Sequence, residues 1–127
     1  MDPCKKQILV IEDDIEMRSL LKDFIKEEGY EVDSVGNSTE AFHQLAKKPF
    51  DLIITDVRMP GLSGLDILPG LKKLQPSSSV ILITAFGSED VYRRALKRGA
   101  DAYLEKPIHL DELRILMKKM FSPEEKG

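Results

Sequence analysis

The sequence predicts an α/β fold, a doubly wound sheet of five parallel strands flanked by five helices. Short segments rich in Ile, Val and Leu alternate with segments in which apolar residues recur at helical spacing. Strands with apolar residues at successive positions are buried on both faces, which requires helices on either side of a parallel sheet. The strongest strand segments also run into polar or acidic residues, which places functional groups along one edge of that sheet.

Three strands are predicted with the clearest signal, at residues 8–11, 52–54 and 80–83, where every side chain is aliphatic. A second strand is predicted around Val32 and Val35, and a fifth at residues 102–104, from weaker apolar runs.

Five helices are predicted between and after these strands, and we interpret their apolar stripes as faces that pack on the core. In the third helix, Pro69 followed by Gly70 removes a backbone hydrogen bond and loosens the turn, which predicts a kink or a late start. The second helix can be capped by Asn37 or Ser38, and Gly29 suits the end of the first. Gly99 suits the end of the fourth. The stripes contain Met17, Leu20, Leu21, Phe24 and Ile25; Ala41, Phe42 and Leu45; Leu65, Leu68, Leu71 and Leu74; Val91, Ala95 and Leu96; and Leu110, Leu113, Leu116, Met117 and Met120.

Length and composition indicate one ordinary globular domain. The 127 residues are 42% hydrophobic and 32% charged, with a net charge of -3 that offers no broad positive surface for nucleic acid. The only cysteine, Cys4, excludes an internal disulfide. We find neither an apolar run of about 20 residues nor a secretion signal, so no membrane association and a cytoplasmic location are expected. We predict a single domain over residues 1–127, with a core at about 6–121 and polar tails at 1–5 and 122–127.

Four predicted strands end in residues that can handle a phosphoryl group and a metal ion. The carboxyl ends of parallel strands lie along one edge of a sheet, so side chains far apart in sequence would share one pocket. These residues are Glu12, Asp13 and Asp14 after the first strand, Asp56 after the third, Thr84 after the fourth and Lys106 after the fifth.

The acids after the first strand predict a divalent cation, with Mg²⁺ as the natural choice. Three adjacent carboxylates repel one another, and a hard cation with oxygen ligands relieves that repulsion. Asp56 would then be free to attack phosphorus and form an aspartyl phosphate. Lys106 supplies a compact positive charge, and Thr84 can donate its hydroxyl to a phosphoryl oxygen.

Each of these residues also has a plain structural interpretation. The three acids could simply lie at the solvated N-terminus of a helix, where the helix dipole favours negative charge. Lys106 could be a surface lysine, and Thr84 could be a strand former. Their joint occurrence at four strand ends of one sheet favours the chemical interpretation.

The chain resembles the receiver domains of two-component response regulators over nearly its whole length, from about Lys6 to Phe121. The resemblance implies a flavodoxin-like (CheY-like) sheet with strand order 2-1-3-4-5. The segments at residues 55–64 and 84–90 look most like those of receivers joined to NtrC-type, enhancer-binding transcription activators. The matching segments read ILVIEDD at residues 8–14, DLIITDVRMPGLSG at 51–64, VILITA at 80–85 and GADAYLEKP at 99–107.

The resemblance also implies roles for the residues of the pocket. Asp56 becomes the phospho-acceptor and a metal ligand, Asp13 the direct Mg²⁺ ligand, and Glu12 a ligand that acts through water. The backbone carbonyl of Arg58 becomes a further metal ligand. Lys106 would bind the phosphoryl oxygens.

Further roles rest on the same resemblance. The bond between Lys106 and Pro107 is expected to be cis. Thr84 and Tyr103 correspond to a switch pair, in which the hydroxyl moves toward the phosphate and the ring turns inward. Arg58 and Phe86 correspond to positions that control how fast water removes the phosphoryl group, and a bulky Phe86 suggests a long-lived phosphorylated state.

The implied partners are a sensor histidine kinase or phosphotransfer protein, which presents a phosphohistidine near the first helix, and a downstream output domain or protein. A phosphorylation-dependent homodimer stays open, although Ala102 stands where some dimerising regulators carry an acid. Turnover of an external substrate is not expected beyond the domain's own phosphotransfer and slow dephosphorylation. The expected output face spans the fourth helix, fifth strand and fifth helix and includes Tyr92, Arg94, Lys97, Tyr103 and Arg114.

Other functions fit the sequence less well or stay open. A flavin or dinucleotide carrier needs a loop that cradles phosphate after the first strand, where the acids would repel it. A phosphohydrolase needs a general acid two residues after its nucleophile, and Arg58 occupies that place. The chain could also be the regulatory part of a larger DNA-binding transcription activator, or an interaction module that works without phosphorylation.

Overall fold

The computed structural model of the chain describes residues 5–58, 64–85 and 89–121. Five strands alternate with five helices, as predicted. None of the described helices has the length and apolar character needed to cross a membrane. In chain order the elements are β1 (Gln7–Ile11), α1 (Ile15–Glu27), β2 (Glu31–Val35), α2 (Ser38–Lys47), β3 (Leu52–Asp56), α3 (Gly64–Leu74), β4 (Ser79–Thr84), α4 (Glu89–Lys97), β5 (Ala102–Glu105) and α5 (Leu110–Met120).

The sheet is parallel throughout and its strands lie in the order β2-β1-β3-β4-β5, which confirms the predicted fold class and order. The chain winds outward from β1 in both directions, so the order reverses between β1 and β3. Asp56 pairs with Ile83, and Thr84 pairs with Glu105. The ends of β1, β3, β4 and β5 therefore lie side by side, and a crevice is expected at this reversal.

Two hydrophobic clusters cover the two faces of the sheet. Alternate residues of each strand point to opposite faces, so Leu9 and Ile53 pack toward α2, α3 and α4, whereas Ile8 and Ile54 pack toward α1 and α5. The aliphatic side chains of β1 and β3, at residues 8–11 and 52–54, are fully buried on both faces, as the aliphatic runs predict.

Three leucines of the predicted apolar stripes are exposed to solvent. Leu20 and Leu74 are each 49% exposed and Leu96 is 43% exposed, so their assignment to the core is wrong. Leu20 and Leu96 stand one position from the buried Leu21 and Ala95, which is about 100° around a helix and turns them off the buried face. Leu74 is the last residue of α3.

The ends of the helices follow their sequence signals. Asn37 caps α2, because its side-chain oxygen accepts a hydrogen bond of 2.8 Å from the Glu40 N–H. Gly29 and Gly99 have φ angles of 97° and 109°, in the left-handed region that favours glycine after a helix.

The α3 helix passes through Pro69 without interruption. Of the two predicted outcomes, the late start is not observed, because the helix begins at Gly64 and Pro69 lies inside it, and the kink stays a prediction. Proline has no N–H to donate to the carbonyl four residues earlier, which belongs to Leu65. The guanidinium of Arg98, just after α4, donates to that carbonyl at 2.9 Å and so replaces the missing helical hydrogen bond.

We expect the stabilising effect of Arg98 to depend on Pro69. Arg98→Ala should lower the free energy of unfolding by about 1–2 kcal/mol, because a carbonyl near the core loses a charged donor. In a Pro69→Ala background the loss should shrink by about 0.5 kcal/mol or more, since the alanine N–H donates to the Leu65 carbonyl in place of the guanidinium. Urea unfolding of the four proteins of this cycle measures the difference. Equal losses in both backgrounds would contradict the interpretation.

Candidate functional site

Glu12 follows β1 and is almost completely buried, with 1% of its surface exposed. Its N–H donates to the Val35 carbonyl at 3.0 Å, which extends the pairing of β1 with β2 by one residue. Its Oε2 accepts a hydrogen bond of 3.1 Å from the Asp14 N–H. Its Oε1 is buried and accepts no hydrogen bond from any residue that the structure describes. A buried carboxylate oxygen without a donor is costly, which marks this atom as a candidate ligand.

Asp56 ends β3 beside Glu12 and is 4% exposed. Its Oδ1 accepts a hydrogen bond of 3.0 Å from the Arg58 N–H, and its Oδ2 accepts one of 2.6 Å from the Lys106 ammonium. Both oxygens are thus held in place by donors.

Lys106 follows β5 and is held through its backbone by β4, where its N–H donates to the Thr84 carbonyl at 2.8 Å. The peptide bond from Lys106 to Pro107 is cis. Its Nζ lies 2.6 Å from Asp56 Oδ2 and 3.6 Å from Glu12 Oε1. Partial burial works against the charged form, but the bond to Asp56 and the two carboxylate charges outweigh it and raise the pKa of Lys106.

Glu12, Asp13 and Asp56 each offer a carboxylate oxygen, and these atoms lie within 4.8 Å of one another. Asp13 is exposed to solvent, whereas the other two are buried. The donor set consists only of hard oxygen atoms, and the Glu12 Oε1 lacks a hydrogen-bond donor among the described residues. These features fit a divalent cation of the Mg²⁺ or Ca²⁺ type.

Burial raises the pKa of Glu12 to about 7, and the nearby Asp56 carboxylate acts in the same direction. The Asp14 N–H and the Lys106 ammonium oppose the shift without cancelling it. A raised pKa means that the folded protein holds this proton more tightly than the unfolded chain does. The stabilisation that protonated Glu12 gives the folded state is therefore fully present below a pH of about 4.5, and it is lost as the pH rises through about 7.

We expect metal-free Glu12→Gln to be more stable than the wild type at mildly alkaline pH, by about 2 kcal/mol. Glutamine keeps the shape of the side chain but removes the buried charge. The difference in unfolding free energy should vanish in acid, where Glu12 is protonated in both states. Urea unfolding in EDTA across the pH range measures it. A difference that does not change with pH would show that Glu12 is not the titrating group.

The remaining predicted residues differ in their burial and in their distance from this centre. Thr84 ends β4 and is 1% exposed, one strand away from Asp56. Arg58 is exposed, and its N–H contacts Asp56 directly. Phe86, the predicted shield of the phosphoryl group, lies outside the described residues.

Tyr103 on β5 packs toward α4. Its ring centroid lies 5.0 Å from that of Tyr92, and its hydroxyl donates to Glu105 Oε2 at 3.3 Å. Burial and the adjacent Glu105 carboxylate raise the pKa of the Tyr103 hydroxyl above its usual value. The ring is half-buried, neither fully exposed nor packed in the core.

The predicted output face contains both solvent-exposed and ion-paired side chains. Tyr92 and Lys97 on α4 are exposed, and Arg94 lies 3.9 Å from Asp90 on the same helix. Arg114 instead faces the end of α1, where its Nε lies 3.2 Å from Glu28, the residue that follows the helix.

The loop between β1 and α1 contains a contact that the sequence did not indicate. Asp14 caps α1 by accepting a hydrogen bond of 2.8 Å from the Met17 N–H. The guanidinium of Arg18 donates to the Glu12 carbonyl at 3.1 Å. Gly36, just after β2, lies against that guanidinium. An arginine within a helical segment gives no sequence signal for such a contact, because most are simply solvated.

Comparisons with known proteins agree with this geometry. The family model of the response regulator receiver domain matches residues 8–118. Response regulator protein PilR of Pseudomonas aeruginosa is 38% identical over 113 residues, which are 89% of this chain but 25% of PilR. Sporulation initiation phosphotransferase F of Bacillus subtilis is 32% identical over 114 residues, 90% of this chain and 92% of that protein.

A solved structure shares both the sequence pattern and the fold. The structure of TrrA from Thermotoga maritima, in complex with Mg²⁺ and BeF, matches with a TM-score of 0.81 and 37% identity over 91% of this chain and 98% of that one. The chain spans about a quarter of PilR and nearly all of the phosphotransferase.

Proposed function

Because the chain belongs to the response regulator receiver domains, we propose that it is a signalling switch that accepts a phosphoryl group on Asp56. The donor is a phosphohistidine on a sensor histidine kinase or a phosphotransfer protein. The observation that carries this proposal is the contact of Asp56 with Lys106 at 2.6 Å. Asp56 also belongs, with Glu12 and Asp13, to the cluster of three carboxylates that fits a divalent cation. We propose that residues 1–127 form a single receiver domain.

The residues of the site divide the work of phosphoryl transfer. An Asp56 oxygen attacks phosphorus, so that an O–P bond forms while the P–N bond to histidine breaks. Mg²⁺ would be held by Glu12, Asp13, Asp56 and the Arg58 carbonyl. When bound, it would neutralise the negative charge on the phosphoryl oxygens. The Lys106 ammonium stays near Asp56 and pairs with a phosphoryl oxygen. The Arg58 N–H holds the other Asp56 oxygen in place.

Thr84 and Tyr103 link the site to the output face. Thr84 donates its hydroxyl to the phosphoryl group, which vacates space beneath the Tyr103 ring. Tyr103 is suited to a two-position role, because its ring is held by a weak bond to Glu105 and by the exposed Tyr92. Whatever favours the inward ring also favours phosphorylation, since coupling between two sites is reciprocal.

The output of the switch depends on the length of the natural protein. PilR is about four times as long as the matching segment, which favours a regulatory domain joined to a DNA-binding transcription activator. The match to nearly all of phosphotransferase F favours a receiver that works alone. Both alternatives use the face around Tyr92 and Lys97. A homodimer formed on phosphorylation would use the same face, and a phosphorylation-independent interaction module is the remaining alternative.

Intact mass after incubation with acetyl phosphate tests the proposal. The wild type should gain the mass of one phosphoryl group in the presence of Mg²⁺ and none in EDTA, and Asp56→Asn should gain none under either condition. Asp51→Asn is the matched control, because Asp51 is a partly exposed aspartate at the other end of β3 and accepts from the Gln7 N–H. It should be labelled like the wild type. Absence of labelling where another receiver is labelled would favour the interaction module.

A further inference from the structure

We propose that Arg18 is a positioning residue for the metal site, which holds the peptide between Glu12 and Asp13 so that both carboxylates face the same cation. The inference rests on the proposed metal-dependent function. Arg18 does not touch the cation or the phosphoryl group. It acts through the backbone of the two acids.

Glu12 makes two backbone contacts, of which only the one with Arg18 is made by the peptide between Glu12 and Asp13, because the Glu12 N–H belongs to the preceding peptide. The Glu12 N–H donates to the Val35 carbonyl at 3.0 Å, and the Glu12 carbonyl accepts from the Arg18 guanidinium at 3.1 Å. The carbonyl belongs to the same peptide plane as the Asp13 N–H, so its direction fixes where the Asp13 side chain begins. Removing the guanidinium leaves this plane free to rotate, and with it the exposed Asp13 carboxylate.

Gly36 provides the space that the guanidinium needs. A Cβ at this position would lie less than 3.0 Å from Arg18 Nη1, a distance that real side chains do not adopt. The backbone of Gly36 does not have a positive φ, so conformation alone does not demand glycine there. Its N–H donates to Glu40 Oε1 at 3.1 Å, which holds the residue against Arg18. Gly36 and Arg18 therefore act as one unit beside the acids.

Electrostatics and positioning predict opposite effects of removing Arg18. Loss of a positive charge close to the acids should strengthen the binding of a divalent cation, because the cation meets less repulsion. Loss of a positioning contact should weaken it, since groups that orient metal ligands commonly contribute about 10-fold or more to affinity. The sign of the change distinguishes the two effects.

The test is a calorimetric Mg²⁺ titration of the wild type, Arg18→Ala, Gly36→Ala and the double variant. We expect each single variant to bind Mg²⁺ about 10-fold more weakly. The double variant should be no weaker than Arg18→Ala, because Gly36→Ala acts only by displacing the guanidinium. Lys26→Ala, which removes an exposed cation from the last turn of the same helix, should bind like the wild type.

Hydrogen exchange of the metal-free proteins gives a second readout. The Asp14 N–H, bound to Glu12 Oε2, should exchange faster in Arg18→Ala, while amides of β3 and β4 keep their protection. Unchanged or tighter Mg²⁺ binding in Arg18→Ala, or additive losses in the double variant, would overturn the proposal. A wild type that binds no Mg²⁺ would overturn the proposed function as well. If Arg18→Ala binds Mg²⁺ more weakly while the wild type binds Mg²⁺ and is labelled normally, the result would support both the role of Arg18 and the proposed function.

Discussion

Lys106→Ala should nearly abolish phosphorylation of the protein and also destabilise it when no metal is bound. In the folded protein the ammonium lies between two buried carboxylates, 2.6 Å from Asp56 and 3.6 Å from Glu12. Its removal leaves those charges facing each other. Breaking a buried charge pair by removing one partner costs about 3–5 kcal/mol, and we expect about 2–3 kcal/mol here, because Lys106 is partly exposed.

Added Mg²⁺ should separate the two consequences of Lys106→Ala. A divalent cation can neutralise the carboxylates, so the stability of the variant should rise more with Mg²⁺ than that of the wild type. Labelling should stay slow, because the cation that pairs with the transferred group is missing, and loss of one such group commonly costs about 100-fold in rate. Urea unfolding with and without Mg²⁺, together with the time course of acetyl phosphate labelling, measures both.

Lys72→Ala is the matched control for this experiment. Lys72 is exposed to a similar extent and donates to the Ser78 carbonyl at 2.7 Å. Its carboxylate partner is Asp101, at 3.6 Å, which is not one of the carboxylates of the site. Its loss should cost about 1 kcal/mol and leave labelling unchanged. Labelling of Lys106→Ala at the wild-type rate would contradict the assigned role of Lys106.

Gly64→Ala should unfold or severely destabilise the protein. Gly64 begins α3 and its N–H donates to the Val57 carbonyl at 2.8 Å, which folds the chain back against the end of β3. A Cβ there would lie less than 3.0 Å from the carbonyl oxygen of Asp56 and 3.1 Å from the Val57 Cα. These are backbone atoms that cannot move aside singly, so we expect a loss of about 3 kcal/mol or more. A soluble variant should also be labelled more slowly, since the clash is with Asp56 itself.

Gly70→Ala makes the same change in the same helix with the opposite expected sign. A Cβ at Gly70 would meet only the end of the Phe42 ring, at 3.2 Å, and this half-buried ring can shift. Alanine favours the helix over glycine, so the variant should gain about 0.5 kcal/mol. Thermal and urea unfolding of the two variants compare them directly. Similar losses at both positions would show that helix disruption, and not contact with β3, explains the effect of Gly64→Ala.

The sheet and the polar residues at its edge could be predicted because both follow from short-range patterns. An aliphatic run such as residues 80–83 specifies a doubly buried strand, and parallel pairing then brings its end beside the others. The position of Asp56 beside Lys106 therefore follows from the strand order, although the two are far apart in sequence.

Contacts made by single long side chains could not be predicted in this way. Arg98 binds the carbonyl that Pro69 leaves without its helical donor, and Arg18 binds the Glu12 carbonyl from a position that lies against Gly36. Such contacts depend on where a flexible guanidinium ends in three dimensions, which neither periodicity nor composition encodes. The exposed Leu20 shows the same limit, because its neighbour Leu21 fits the helical stripe equally well.

The distribution of the site over four strands has a consequence for newly made protein. During synthesis Glu12, Asp13 and Asp56 leave the ribosome before Lys106, which follows β5, the last strand of the sheet. A nascent chain thus carries the acids before it carries the cation that lies between Asp56 and Glu12. Only a folded domain that already contains Lys106 can receive the phosphoryl group on the proposed mechanism, so chains that stop before β5 would neither consume the donor nor transmit a false signal.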